Sequence, residues 1–443
     1  MKYCKRCLYP ENHPYGIVYD SDGICSGCRV HEEKDQINWN ERFDILKKLV
    51  FENSRNTHRR NFDCIVPVTG GGDSYFIVHT VKNVLGMNPL LVNYNSHYNT
   101  KVGIRNLANL ATVFDCDIIT STVSPAILKN ITRDTLSRYG SIYWQVLAGF
   151  LTFPVQTAVK FKIPLIIWGV HPWSEQVGMF SHYDQVEMTH RCRNEHGLFG
   201  VTAEEILKKS TTLKRQDVQP FIYPFDSELE AIGVRGIYLS NYIRWDAKEQ
   251  HEAMIKQYGY ESAVQQRTFN TYEDVHCFHS AGLHDYIKYI KYGYSKVTDH
   301  ATRDIRLKKI SRDQGIGFVN KYSNILPSDI SLMSSWLDIS EENIIKSFWD
   351  RRDPRIWTKI NDYDWKLKDS VSNSIGEELV DHVENNVNTF EYILTAKAEP
   401  NIKDDQYLLM GRGYVDKYDY GAIEDQSIGG GLTPREWTEE KFT

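Results

Sequence analysis

Short apolar runs alternate with helix-period segments through the first part of this chain. Ile65–Val68, Leu90–Tyr94, Ile118–Val123 and Pro164–Gly169 have strand length and composition. Between them Phe76, Ile77, Thr80, Val81, Val84 and Leu85 recur at helical spacing, with Gly86 as the cap, and Ile104, Leu107, Leu110 and Ala111 do the same. Residues 126–160 read as helices. Such alternation predicts an α/β fold, a doubly wound parallel sheet whose ligands sit at the carboxyl ends of the strands. Upstream, Trp39, Phe43, Leu46 and Val50 predict an amphipathic helix, and Glu52–Asn61 reads as a polar linker.

Past about residue 180 the pattern changes. Ser181–Gly200 is polar and carries His182, His190 and His196 without i, i+4 spacing, so it reads as a loop or lid. A strand is expected over Gly236–Ile243, and helices over Trp245–Gly259 and Gly282–Gly293, the latter closed by its glycine. Tyr294–Arg306 is dense in charged and hydrogen-bonding groups, and residues 370–443 lose clear periodicity. The domains expected are 1–32, 33–61 (a linker helix), 62–180 (nucleotide-binding), 181–369 (a mainly helical substrate region) and 370–443 (an extension).

The junction of the first strand with its helix carries the chemistry. Thr69, Gly70, Gly71, Gly72, Asp73 and Ser74 follow the apolar run directly. Glycines let backbone N–H groups approach a phosphate, and the helix start adds partial positive charge. Asp73 at the mouth is suited to Mg²⁺, which takes carboxylate and phosphate oxygens. The loop lacks the Lys-Ser/Thr of one common glycine motif and the spacing of the other. Just past neighbouring strands lie Asn93 and Asn95, placed to reach a ribose or adenine, and Gly169, His171 and Glu175.

Four of the eight cysteines form Cys4-x-x-Cys7 and Cys25-x-x-Cys28. Two such knuckles at this separation fit a four-thiolate Zn²⁺ site, closed and therefore structural. Pro10, Pro14, Gly16, Gly23 and Gly27 suit a ribbon whose folding energy comes from the metal. Cys64 and Cys277 adjoin apolar residues and read as buried structural thiols, whereas Cys116 and Cys192 sit between charged neighbours and stay undecided.

With 443 residues, 41% hydrophobic and 25% charged, the chain has room for two or three domains. A net charge of −6 argues against nucleic acid as the main partner. The densest basic run, Arg351-Arg352-Asp353-Pro354-Arg355, reads as a solvated face. There is no run long enough for a membrane span and no apolar signal at Met1–Cys4, so a cytoplasmic protein is expected.

Thr69–Ser74 resembles the PP-loop of the ATP pyrophosphatases, Ser-Gly-Gly-x-Asp-Ser, with Thr69 in place of the usual Ser. In order along the chain come the cysteine ribbon, this loop, Ile166–Gly169, Gly236–Asp246, His284–Tyr286, Lys291–Tyr294 and Thr298–Arg306. That series is similar to the N-acetyl sugar amidotransferases of lipopolysaccharide and surface-polysaccharide biosynthesis, over residues 1 to about 357. Val170-His171 departs from the Glu-Asn common in that family.

The resemblance implies a PP-loop (HUP-like) fold and an ATP-dependent, AMP- and pyrophosphate-forming amidotransferase. It would adenylate the acetamido group of a nucleotide sugar and replace AMP with ammonia, giving an acetamidino group. ATP would lie on Thr69–Ser74, Asn93 and Gly169, with Asp73 and Ser74 serving the chemistry, and Mg²⁺ and structural Zn²⁺ would be bound. Glu175, Asp299, Arg303 and Arg306 are the candidates for holding the sugar nucleotide. Since no Gly-x-Cys-x-Gly glutaminase signal occurs, ammonia would come from a separate glutaminase partner with an ammonia conduit. The rivals are a PP-loop tRNA thiolase, with Cys116 or Cys192 as sulfur carrier, and a non-catalytic nucleotide-binding scaffold.

Overall fold

The computed structural model describes residues 1–55, 62–349, 351–361 and 364–374. Five strands, β1 (Cys64–Pro67), β2 (Pro89–Asn95), β3 (Ile118–Thr122), β4 (Leu165–Trp168) and β5 (Arg235–Tyr238), pair in parallel in the order β3-β2-β1-β4-β5. The chain winds outward from β1 to β3, then returns to place β4 on the other side of β1. That reversal opens a crevice between β1 and β4 at their carboxyl ends.

Period-2 alternation assigns each central strand a residue set to each face. Cys64, Val66, Leu91, Leu165 and Ile167 pack with Leu46, Tyr75, Val78 and Met254 on one side. Ile65, Leu90, Val92, Ile166 and Trp168 pack with Val155 and Ala158 on the other. Helix α1 (Ser26–Glu33) belongs to the cysteine-bearing segment, and α2 (Trp39–Arg55), α3 (Gly72–Val78), α4 (Lys101–Val113), α5 (Pro125–Tyr139) and α6 (Trp144–Phe161) follow. The Thr100 side chain caps α4 by accepting from Gly103 N at 2.9 Å. Pro125 opens α5. The helix after the loop passes into a π-helical turn, His79–Val84.

Three short helices, α7 (Ala203–Lys209), α8 (Arg215–Val218) and α9 (Asp226–Ile232), precede β5. Because β5 pairs with β4, the sheet continues beyond residue 180, where the nucleotide-binding unit was expected to end. The strand expected over Gly236–Ile243 is shorter, giving way to a 3₁₀ turn at Leu239–Asn241. Ser181–Gly200 is no lid: Ser181, His182, Val186, Cys192, Arg193, His196 and Leu198 are buried, and Cys192–Gly197 is wound as a π turn. Helix α2 runs through Arg55, into the stretch read as linker.

Beyond β5 come α10 (Ala247–Tyr258), α11 (Leu283–Tyr292), α12 (Lys296–Arg306), α13 (Arg312–Tyr322), α14 (Asp329–Leu337) and α15 (Glu341–Trp349). Gly293 ends α11 at φ +75°, a conformation that L side chains rarely adopt. The antiparallel pair β6 (Trp357–Lys359) and β7 (Trp365–Leu367) follows. The basic run is absorbed here only in part, since Arg355 stays exposed as a solvated face would have it. Arg352 lies 3.9 Å from the Trp349 ring centroid and 5.0 Å from that of Trp357, and Arg351 donates to the Ser137 and Arg138 carbonyls. The extension expected over 370–443 lies outside the described residues beyond Ser374. Among the described residues no helix is long and apolar enough to cross a membrane.

Candidate active site and cysteine cluster

The turn after β1 is held by its own side chains. Thr69 N donates to Ser74 Oγ at 2.9 Å, and Gly71 N to Thr69 Oγ1 at 3.1 Å. Its glycines are sites of close approach. A Cβ on Gly70 would lie 2.2 Å from the Gly103 carbonyl oxygen, and a Cβ on Gly103 would lie 2.6 Å from His276 Cα. On Gly72 it would meet His251 of α10 at 2.0 Å. Loop, α4 and the segment around His276 therefore stack backbone to backbone, which only glycine permits.

A cavity of about 730 Å³ opens over this turn. Thr69, Gly70, Asp73, Ser74, Asn93 and Gly169 line it, as does Asn95. Asn93 is fixed by donating to the Val68 carbonyl at 2.9 Å. Ile104, Leu107, Ala108, Ala111 and Ile118 form an apolar side between α4 and the sheet. Gly71 and Gly72 lie behind the lining, against His276 and His251.

The wall facing the loop comes from much later in the chain: Glu273, Asp274, His276, Lys296, Asp299, His300 and Arg303. Lys296, His300 and Arg303 sit at helical spacing on α12. Lys296 pairs with Asp274, while His300 Nε2 (3.2 Å) and Arg303 Nη2 (2.8 Å) converge on Glu273. Burial alone would raise both carboxyls. Arg303 and His300 nevertheless hold Glu273 well below its usual range, and Lys296 holds Asp274 at about 2. Asp73 behaves oppositely: desolvation, reinforced by Glu273 and Asp274, pushes its carboxyl up, although His251 Nε2 stands 3.6 Å away and opposes the shift. The Asp73 side chain is half exposed into the cavity. Two polar atoms of the lining, His276 Nδ1 and Trp168 Nε1, are buried without a hydrogen-bond partner among the described residues.

Of the four residues expected to hold the sugar nucleotide, the structure brings two into the cavity, Asp299 and Arg303. Asp299 is shared with its surroundings, paired with Lys288 at 2.6 Å and accepting from the Tyr9 hydroxyl at 3.1 Å. Glu175 and Arg306 are outside the lining, which corrects that reading. Glu175 is paired with Lys34 at 2.7 Å. Arg306 donates Nη1 to the Glu175 and Gln176 carbonyls, both at 2.9 Å, and turns its other nitrogens to Cys25 and Cys28. Glu273, Asp274, His276, Lys296 and His300 were missed. The one available signal was the Lys296-x-x-x-His300-x-x-Arg303 spacing within a segment already noted for its charge.

Cys4, Cys7, Cys25 and Cys28 converge, with all four sulfurs within 4.8 Å of one another and fully buried or nearly so. Cys4 and Cys28 sulfurs are 3.9 Å apart, and those of Cys7 and Cys25 3.6 Å. Zn–S bonds of about 2.3 Å in a tetrahedron require sulfurs about 3.8 Å apart, so this cluster is shaped to take Zn²⁺. The ribbon is not a free-standing unit. Its core includes Trp173, Val177, Phe180 and Tyr294, and Arg312 donates to the Cys7 and Cys4 carbonyls at 3.2 Å.

An uncharacterized protein of Methanocaldococcus jannaschii, MJ1599, is 25% identical over 118 residues, 26% of this chain and 41% of that protein. The match thus spans less than half the length of that curated relative. Among solved structures, the NH3-dependent NAD synthetase of Campylobacter jejuni aligns with a TM-score of 0.27 at 12% identity, covering 44% of this chain and 92% of that one. The NMN synthetase of Francisella tularensis aligns with a TM-score of 0.26 at 14% identity, covering 52% and 98%. Residues 266–371 match the family described as LPS biosynthesis protein WbpG-like, C-terminal domain. The wall facing the glycine turn, from Glu273 to Arg303, is therefore built by the part of the chain that resembles this lipopolysaccharide-biosynthesis domain.

Proposed function

We propose that the protein is an ATP-dependent amidotransferase acting on the acetamido group of a nucleotide sugar in lipopolysaccharide or related glycan synthesis. One observation carries this reading: a single cavity has the Thr69–Ser74 turn on one side and charged groups from the lipopolysaccharide-type segment on the other. ATP would lay its phosphates on the turn and its base against the apolar side formed by Ile104, Leu107 and Ile118. The acetamide oxygen attacks the α-phosphate, pyrophosphate leaves, and ammonia from a partner glutaminase displaces AMP. Adenylation is needed because an amide oxygen is a poor leaving group.

This chain's residues supply orientation and charge. The backbone amides of Gly70 and Asp73 and the Ser74 hydroxyl, from residues that line the cavity, would stabilise the departing pyrophosphate. Asp73, crowded by Glu273 and Asp274, would hold Mg²⁺, a cation that screens phosphate charge when bound. Arg303, with five donors in a fixed fork, would grip a phosphate of the nucleotide sugar while Glu273 orients it. Cys192 and Cys116, the carriers a thiolase would need, are outside the cavity lining. Cys277 is in it, but burial pushes its thiol up, away from the reactive thiolate.

The test is pyrophosphate release from ATP with an acetamido nucleotide sugar and ammonium. Release should need all three substrates, and Asp73→Ala should lower it about 100-fold or more. Release that is indifferent to the sugar, or stimulated instead by tRNA, would rule the assignment out.

A further inference from the structure

A second cluster of metal-binding side chains lies outside both the cavity lining and the ribbon. His171 lies three residues past the end of β4, while Cys192 and His196 are four residues apart on the π turn. Their donor atoms all fall within 4.8 Å of one another, and the three residues are 3%, 5% and 5% exposed. His171 Nε2 is 3.5 Å from Cys192 Sγ. Zn–N and Zn–S bonds of about 2.05 and 2.3 Å at a tetrahedral angle demand about 3.5 Å between those atoms.

The hydrogen-bond inventory points the same way. Both ring nitrogens of His196 are buried with no partner among the described residues, and a metal would take one of them. Leaving such groups unpaired is costly, because a buried donor or acceptor forfeits its hydrogen bond to water. The Tyr238 hydroxyl lies 3.1 Å from the Cys192 sulfur and can support it as a thiolate. The competing account is an aromatic cluster, since His196 also packs 4.5 Å from Trp173 and 5.5 Å from Phe180 between ring centroids.

We propose that His171, Cys192 and His196 form a further metal site, occupied by Zn²⁺, which ties the Cys192–Gly197 turn to the segment that follows β4. One thiolate and two imidazoles are a borderline donor set that suits zinc over magnesium or calcium. Binding would release the Cys192 proton. With three protein donors, one coordination position remains.

The experiment is metal analysis and zinc X-ray absorption on the full-length chain, purified and desalted without chelator. Wild type should hold two Zn²⁺ per chain, with an average sulfur shell well below four and imidazole scattering. His196→Ala and Cys192→Ala should each hold one, with a spectrum reverting to sulfur only. One zinc in wild type with an all-sulfur shell would overturn the proposal, even if neither variant folds. So would two zincs retained in both variants.

Discussion

Arg306 donates its Nε–H to the Cys28 sulfur at 3.4 Å, joining the last turn of α12 to the second cysteine knuckle. The first turns of the same helix face the cavity through Lys296 and His300. Burial alone would weaken the Arg306 charge, yet the Cys28, Cys25 and Cys7 sulfurs hold its guanidinium well above the ordinary range. The ribbon and the cavity wall are consequently two faces of one helix.

Arg306→Ala should therefore loosen the ribbon. It removes donors to two sulfurs and two carbonyls from a buried position, a loss on the order of 3 kcal/mol. The expected result is faster zinc transfer to a chromogenic chelator and a melting temperature lower by several degrees. Unchanged release would show that the contact is incidental.

Gly70→Ala should abolish pyrophosphate release while destabilising the fold by about 1–3 kcal/mol. The added methyl would sit 2.2 Å from the Gly103 carbonyl oxygen, which is backbone and cannot rotate away. Gly86→Ala is the contrast: nothing lies within 4 Å, and its cost comes from a φ of +68° alone. It should melt lower but keep its activity, provided that activity is assayed well below the melting temperature.

Lys296→Met should cost more than Asp274→Asn, because it leaves a carboxylate on the cavity wall without its counter-ion. In a double-mutant cycle scored by chemical denaturation, a coupling of about 1–3 kcal/mol is expected. Additive effects would mean that the pair contributes no mutual stabilisation.

Stability should fall as the solution is acidified below about pH 6.5. Burial holds the His284 and His182 imidazoles down at about 3. An unfolded chain takes up these protons near pH 6.5, whereas the folded one does not, so each group's contribution is complete above that pH and is lost progressively toward pH 3. Each should add a slope of about 1.4 kcal/mol per pH unit inside that window. His284→Phe keeps a ring against Tyr143, 4.2 Å away in a stacked arrangement, and should flatten the dependence by one such group. Denaturant midpoints between pH 7.5 and 5 would measure it.

The strands, the helices around them, the glycine turn and the cysteine ribbon were legible in the sequence, because each depends on residues near one another in the chain. Period-2 and period-3.6 patterns report which side of an element is apolar, and two Cys-x-x-Cys turns report that four thiols converge. Tertiary structure alone decided which charged groups meet the turn. Gly103 carries no side chain, so His276 can pack its backbone against α4, and that contact delivers Glu273 and Asp274 to the cavity. It also separated Arg303 from Arg306, one turn apart on α12 yet serving the cavity and the ribbon respectively. The His171, Cys192 and His196 cluster has the same origin: its members come from a strand end and a distant turn, and only packing sets the distance between them.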